Sequence, residues 1–360
     1  MTKTEAVNSV KVIEDYFSNF ENIEEYIRQQ KLLKMEDIPA SLPGMGIETD
    51  LFDEFDMSPQ DMDFELVPMR EGLWNQYISI ISSHANMTSI PGKTIKLGVK
   101  EKNTNKYVGF IRLGSPVINM KPRNQLLGNV PELTSFNKHV IMGFAIVPSQ
   151  PFGFNYLGGK LLAGISTTHE VKEMIDKKYG TNIVMFETTS LYGNSKSASQ
   201  YDGMKPFLRF KGLTDSDFMP TIIGESFDKL CEVANHEMIW DITVSSPKMK
   251  AMNQIVGKIK RTLDGDDLEH FKNVETNAKK LIEQKRYYYS NYGIENFVDI
   301  VNGKTDTINR AENYDRYSLD NFIEWWKKKA TKRWDSLRTD ARLRRDIEVW
   351  SNNKNIDIIR

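Results

Sequence analysis

"FNKHVIMGFAIVPSQPFGFNYLGGKLLAGI", Phe136 to Ile165, holds an almost unbroken apolar run, a Ser-Gln-Pro turn, a glycine pair and a second apolar run. A continuous apolar run suits a central strand covered on both faces. The second run, opened by Gly158 and Gly159, suits a helix laid on that strand. Two glycines at such a junction admit two readings. Amides at a helix start can hold an acidic cofactor group, because their N–H groups lack partners and the helix dipole is positive there. Alternatively, the missing side chains only let helix and sheet approach closely.

Working outward, "FELVPM" is a short strand and "EGLWNQYISIISSH" sets Leu73, Tyr77, Ile80 and Ile81 on one helical face. "KTIKLGVKEKNTNKYVGFIRLGS" is two strands around a polar turn. Beyond the glycine pair, "THEVKEMIDKKYG" is a helix closed by glycine, "NIVMFETTSL" a buried strand and "KPFLRFKGL" a last strand. This order predicts an α/β (α+β) core over residues 64–224, a mixed sheet flanked by helices.

The ends differ from the core. Residues 1–65 hold 16 acidic and 5 basic residues, whereas residues 248–360 hold 24 basic and 18 acidic ones. Val10, Ile13, Phe17, Phe20, Ile23 and Ile27 mark an amphipathic helix, so residues 1–63 read as an acidic helical arm and linker, either a mobile mask or a solvated leader. Residues 225–360 read as a helical, partly basic domain that includes "DDLEHFKNVETNAKKLIEQKRYYYSNYG" and a helix capped by Ser318. The single cysteine, Cys231, excludes an internal disulfide framework. With no apolar run near 18 residues and no apolar leader, the expectation is a cytoplasmic protein that does not engage a membrane. Abundant Asn, Lys, Ile and Tyr hint at an AT-rich genome such as a phage's, which would place the protein in a bacterial host.

The strand order resembles that of the Gcn5-related N-acetyltransferase (GNAT) fold from about Phe64 to Thr221, in which the fourth strand leads into a pyrophosphate-binding turn and helix. The resemblance implies that Ser149, Gln150, Asn155, Gly158, Gly159 and Lys160 hold a phosphate-bearing donor of the acyl-coenzyme A type. Gly153, Tyr156 and Gly158 stand where that family has an Arg or Gln with two spaced glycines, so the donor stays unnamed.

A closer likeness runs through "FNKHVIMGFAIVP", "NYLGGKLLAG" and "YGTNIVMFETTSLYGNSKSASQYDGMKPFLRFKGLT". These resemble the central block of the Druantia protein A family: an Asn-rich entry to an apolar strand, a short helix, a strand ending in Glu-Thr, and a polar loop. The upstream "ISSHANMTSIPGKTIKLGVKEKNTNKYVGFIRLGSP" resembles that family's His-bearing stretch, which implies a role for His84. The family implies an anti-phage defence or mobile-element setting. More distantly it resembles the Mom protein of phage Mu, which implies action on DNA bases.

Glu187, at the end of a buried strand, suits a general base or a cap for loop amides. Tyr201, in the polar loop from Asn194 to Gly203, suits a proton donor or a packing residue. Asn137, Thr188, Thr189, Ser199, Gln200 and Lys205 are candidates to contact substrate. No histidine stands at metal-ligand spacing from another His or from Cys231, so no metal is expected.

Residues 327–345 hold nine basic and two acidic residues beside Trp325, Trp326 and Trp334, and Lys285 and Arg286 precede three tyrosines. Such mixtures suit phosphates and stacked bases, although charge runs on helices are also solvated faces. Lys285, Arg286, Trp325, Trp326, Lys328, Lys332, Arg333 and Arg344 are therefore candidates for nucleic-acid contact, with DNA the expected partner. Three functions remain open: a transferase that modifies a DNA base, a binding module without chemistry, and an interaction protein whose acidic arm mimics DNA.

Overall fold

The computed structural model of the protein describes residues 1–21, 23–36, 47–83, 92–117, 119–190, 199–214, 220–237, 247–281 and 285–350. His84 lies outside the described residues, as do 191–198 of the polar loop.

Two helices open the chain, α1 (Lys3–Phe17) and α2 (Ile23–Glu36). A Thr2 capping box starts α1: the Thr2 hydroxyl accepts from the Glu5 amide while the Glu5 carboxylate accepts from that of Thr2. The core then runs β1 (Phe64–Pro68), α3 (Glu71–Ile81), β2 (Thr94–Glu101), β3 (Lys106–Gly114), α4 (Lys121–Leu127), α5 (Leu133–His139) and β4 (Val140–Pro148). It continues with α6 (Phe152–Tyr156), α7 (Gly158–Ile165), α8 (His169–Tyr179), β5 (Met185–Ser190) and β6 (Arg209–Leu213). After α9 (Glu225–Val233), α10 (Pro247–Thr262) and α11 (Gly265–Lys280) come β7 (Arg286–Ser290), α12 (Phe297–Val301) and α13 (Leu319–Thr339).

Among the described residues the strands form one mixed sheet in the order β1-β2-β3-β4-β5-β7-β6. The first four strands are antiparallel in sequence, β4 and β5 are parallel, and β7 is antiparallel to both β5 and β6. Pairing of β4 with β5 covers Val140 to Gly143 against Met185 to Thr188. Beyond it β4 stays paired to β3 as far as Pro148, while β5 pairs with β7 as far as Ser190. The mixed core expected from the sequence is thus present.

Two expectations change. "RYYYS" is a strand inserted between β5 and β6, because the sheet buries Tyr287 and Tyr288 on opposite faces where a helix would bury one stripe. The acidic arm is neither mask nor solvated leader over α1 and α2: Ala6, Val10, Ile13 and Phe17 pack into one apolar cluster with α9, α10 and α11. Tyr26 donates to the Thr221 carbonyl at 3.0 Å, and the buried Lys31 ammonium to that of Ser79 at 2.6 Å.

The long helix α13 belongs to the sheet's core. Its Phe322, Ile323, Trp326, Ala330, Trp334 and Leu337 form a buried stripe against α6 and α7. Gly164 makes the approach possible, since a Cβ there would stand 1.9 Å from the Phe322 ring.

Candidate functional site

The glycine pair answers the question posed by its position. A Cβ on Gly158 would meet Gly153, Phe152 and Pro148, all at 2.9 Å, and one on Gly159 would meet Gln200 Oε1 at 2.2 Å. The pair lets α6 fold under α7 and lets the loop at 199–203 lie against the helix. Lys160 is also engaged by this loop: its ammonium donates to the Gln200 carbonyl at 2.8 Å and to that of Asp202. Burial holds the Lys160 pKa below its ordinary value, with the Asp202 carboxylate opposing. Ser199 N–H donates to Asp202 Oδ2 at 2.9 Å, and Tyr288 OH donates to Oδ1 at 2.7 Å.

The sequence's catalytic pair is differently placed. Glu187 is wholly buried; Arg123 Nη1 donates to its Oε1 at 3.0 Å and Tyr287 OH to its Oε2 at 2.8 Å. Arg123, equally buried, also donates to the Val117 carbonyl at 2.8 Å and lies over the Phe136 ring at 4.3 Å. Burial pushes the Glu187 pKa up, while Arg123 and Tyr287 pull it down. In this arrangement both Glu187 oxygens are taken up by partners within the protein. Tyr201 is buried with its ring edge-on to Tyr288 at 5.5 Å, and burial raises its hydroxyl pKa. Because successive residues of a strand face opposite ways, Tyr287 joins Glu187 on one face, while Arg286 and Tyr288 join Asp202 on the other.

The other candidates scatter. Thr188 is buried and donates to the Gly143 carbonyl at 3.0 Å; Thr189 is half-buried in β5. Asn137 is exposed on α5, with its carbonyl accepting from Lys93. Lys205 is exposed. Ser149 is buried and donates to the Val108 carbonyl at 3.2 Å, and Gln150 Oε1 accepts from Phe154 N–H at 3.1 Å. Arg286 is spent on Tyr288, Asp202 and the Phe210 ring, Lys285 is half-buried beside β7, and Trp326 is a core residue with no exposed surface. Trp325 is half-buried against Phe207 and Phe322.

What the structure does assemble is basic. Asn155 is buried and grips the backbone of Arg344, donating to its carbonyl at 2.7 Å and accepting from its amide at 3.2 Å. This brings the Arg344 guanidinium 4.2 Å above the Phe154 ring, where Arg333 of α13 stands at 4.7 Å. Burial lowers the Arg333 pKa, and the neighbouring Arg342 and Arg344 charges lower it further. Lys328, Lys329, Lys332 and Arg338 are exposed along the same helix. Carboxylates answer part of this charge: Glu348 meets Arg344 at 3.2 Å, Asp340 meets Arg342 at 2.9 Å, and Asp56 meets Arg345. Phe154 and Arg342 were not among the sequence candidates; only the fold brings α6 to the end of α13. Among the described residues no group of three or more His, Cys, Asp or Glu stands together as a metal site, and no helix is long and apolar enough to cross a membrane.

The class is a mixed α/β core with a sealed charge network inside its sheet and a cationic surface on one flanking helix. Residues 60–197 match the family model of Druantia protein DruA, so the Druantia resemblance read in the sequence holds over that segment. Neither a curated protein nor a solved structure matches the chain.

Proposed function

We propose that the protein is a Druantia-type anti-phage defence component that binds nucleic acid through the surface built by Arg333, Arg342 and Arg344 around Phe154. The observation that carries this reading is the concentration of like charge. The Arg333 and Arg344 guanidiniums converge on the Phe154 ring at 4.7 and 4.2 Å, with the Arg342 charge close enough to act on Arg333, and this gives a positive field that a phosphodiester neutralises. Arg guanidiniums suit phosphate oxygens bidentately, and the exposed lysines of α13 extend the track. DNA is the partner we expect.

The test is fluorescence anisotropy with labelled duplex and single-stranded oligonucleotides across a salt series. Arg333→Ala with Arg344→Ala should lower affinity for every sequence alike. It should also flatten the plot of log affinity against log salt by about 0.9 per lost contact on duplex, or about 0.7 on single strands. Unchanged binding by the double variant sinks the proposal.

A second reading keeps transfer chemistry to a DNA base, with a GNAT-like core. The parallel pairing of β4 with β5 that stops at Gly143 and Thr188, and the insertion of β7, support it. In that reading the 199–203 loop leaves α7 to admit a donor and Glu187 gives up Arg123. New nucleosides in DNA from expressing cells, absent with Glu187→Gln, would favour it over binding alone.

A further inference from the structure

A shallow groove of about 460 Å3 lies along α4 and is lined by Asn119, Lys121, Asn124, Gln125, Gly128, Asn129 and Val130. Four of the seven are carboxamides. From Asn103 to Pro131 the chain carries no Asp or Glu, so nothing anionic in this segment repels a polyanion. Asn124 Nδ2 donates to Asn119 Oδ1 at 2.8 Å, which fixes both amides, while Gln125 and Asn129 are exposed. Val130 in the groove is 63 % exposed, and Val117 and Leu133, which flank it in sequence, are also exposed large apolar residues.

A seven-residue helix makes little structure of its own. This one is mounted on the sheet by the buried Arg123–Glu187 pair, with Tyr287 on the second carboxylate oxygen and Asn302 donating to the Leu127 carbonyl at 2.9 Å. A buried ion pair adds little net stability compared with apolar packing, yet it fixes geometry.

We infer that the α4 groove is a nucleobase-reading site for unpaired bases, and that Arg123, Glu187 and Tyr287 are positioning residues that hold it rigid. A carboxamide presents a donor and an acceptor side by side, as base edges do, and the exposed valine offers apolar contact to a base. Lys121 at the groove's edge suits the attached phosphate. The inference rests on the nucleic-acid reading above.

The experiment compares three labelled single strands of equal length, oligo-dA, oligo-dT and an abasic backbone, on wild type, on Gln125→Ala with Asn129→Ala, and on Arg333→Ala with Arg344→Ala. Wild type should prefer a base-bearing strand over the abasic one by about tenfold. The groove variant, with an unchanged melting temperature, should lose that preference and keep the salt slope. The arginine variant should keep the preference and lose slope. A groove variant that retains the wild-type preference, or a wild type with no preference, overturns the inference while leaving the arginine surface standing. No salt-dependent binding by wild type to any strand overturns both.

Discussion

Arg123 and Arg333 share a side chain but not a situation. Arg123 has no exposed surface, and its charge is met by Glu187 at 3.0 Å with Tyr287 on the far side of the carboxylate. Arg333 is half-buried, donates only weakly to the Phe154 carbonyl at 3.4 Å, and shares its neighbourhood with Arg342 and Arg344. Inside the sheet the Arg123 charge is answered by the Glu187 carboxylate, because an unpaired ion there would cost several kcal/mol. On the α6–α13 surface the Arg333 and Arg344 charges are stacked on an aromatic ring and answered only in part, by Glu348 on Arg344 and Asp340 on Arg342, which a protein tolerates where water or a partner supplies the remaining counter-charge. The difference separates a charge that builds the fold from charges available for work.

The largest expected effect breaks the inner half of the comparison. Glu187→Ala strands the Arg123 guanidinium and should cost about 3–5 kcal/mol in chemical denaturation followed by tryptophan fluorescence. Adding Arg123→Met to it should restore much of the loss, since the pair then leaves together. A tolerated single variant would mean that the pair is not sealed.

Next comes packing. Gly164→Ala drives a methyl into the Phe322 ring and should lower stability by about 1–3 kcal/mol. Gly159→Ala meets only the end of an exposed, movable Gln200 side chain and should be far milder in thermal melts. The reverse order would reopen the glycine pair as something other than a packing device.

Asn155→Ala sharpens the outer half. It frees the Arg344 backbone, costs about 1–3 kcal/mol for the buried hydrogen bonds lost, and should weaken nucleic-acid affinity by releasing Arg344. Wild-type affinity for Asn155→Ala would show that Arg344 needs no such mount.

The smallest effect is a pH dependence. Burial holds the His139 pKa below its ordinary 6.5, and Nδ1 stands 2.7 Å from the Asn182 carbonyl. The unfolded chain therefore takes up this proton first as pH falls. The stability is present above pH 6.5 and is lost as pH drops toward the folded value. Melting temperature between pH 7.5 and 5.5 should fall less steeply for His139→Gln than for wild type; equal slopes would remove His139 from the account.

Much of the sheet was legible because its strands are apolar runs with clear turns between them. "RYYYS" was not, because a basic, aromatic stretch after a helical pattern carries no sign that the chain returns to pair with β5 seventy residues after β6. Arg333 and Arg344 could be singled out from charge density, yet Phe154 could not, since it meets them only after α13 crosses α6. Trp326 and Trp334 were read as stacking platforms because one helix carries both charges and aromatics. Their i, i+4, i+8 and i+12 spacing with Phe322 and Ala330 marks the core face instead. Glu187 stands out as a carboxylate closing an apolar run, yet it is the third residue of β5 and not its end, and a sequence does not say that Arg123 arrives to meet it.

The central claim is tested most directly by the salt dependence of DNA binding for wild type and for Arg333→Ala with Arg344→Ala. The account predicts tight binding at low salt by wild type and a slope shallower by about 1.8 on duplex in the double variant, at two lost contacts of about 0.9 each. Equal slopes and equal affinities for the two proteins would contradict it.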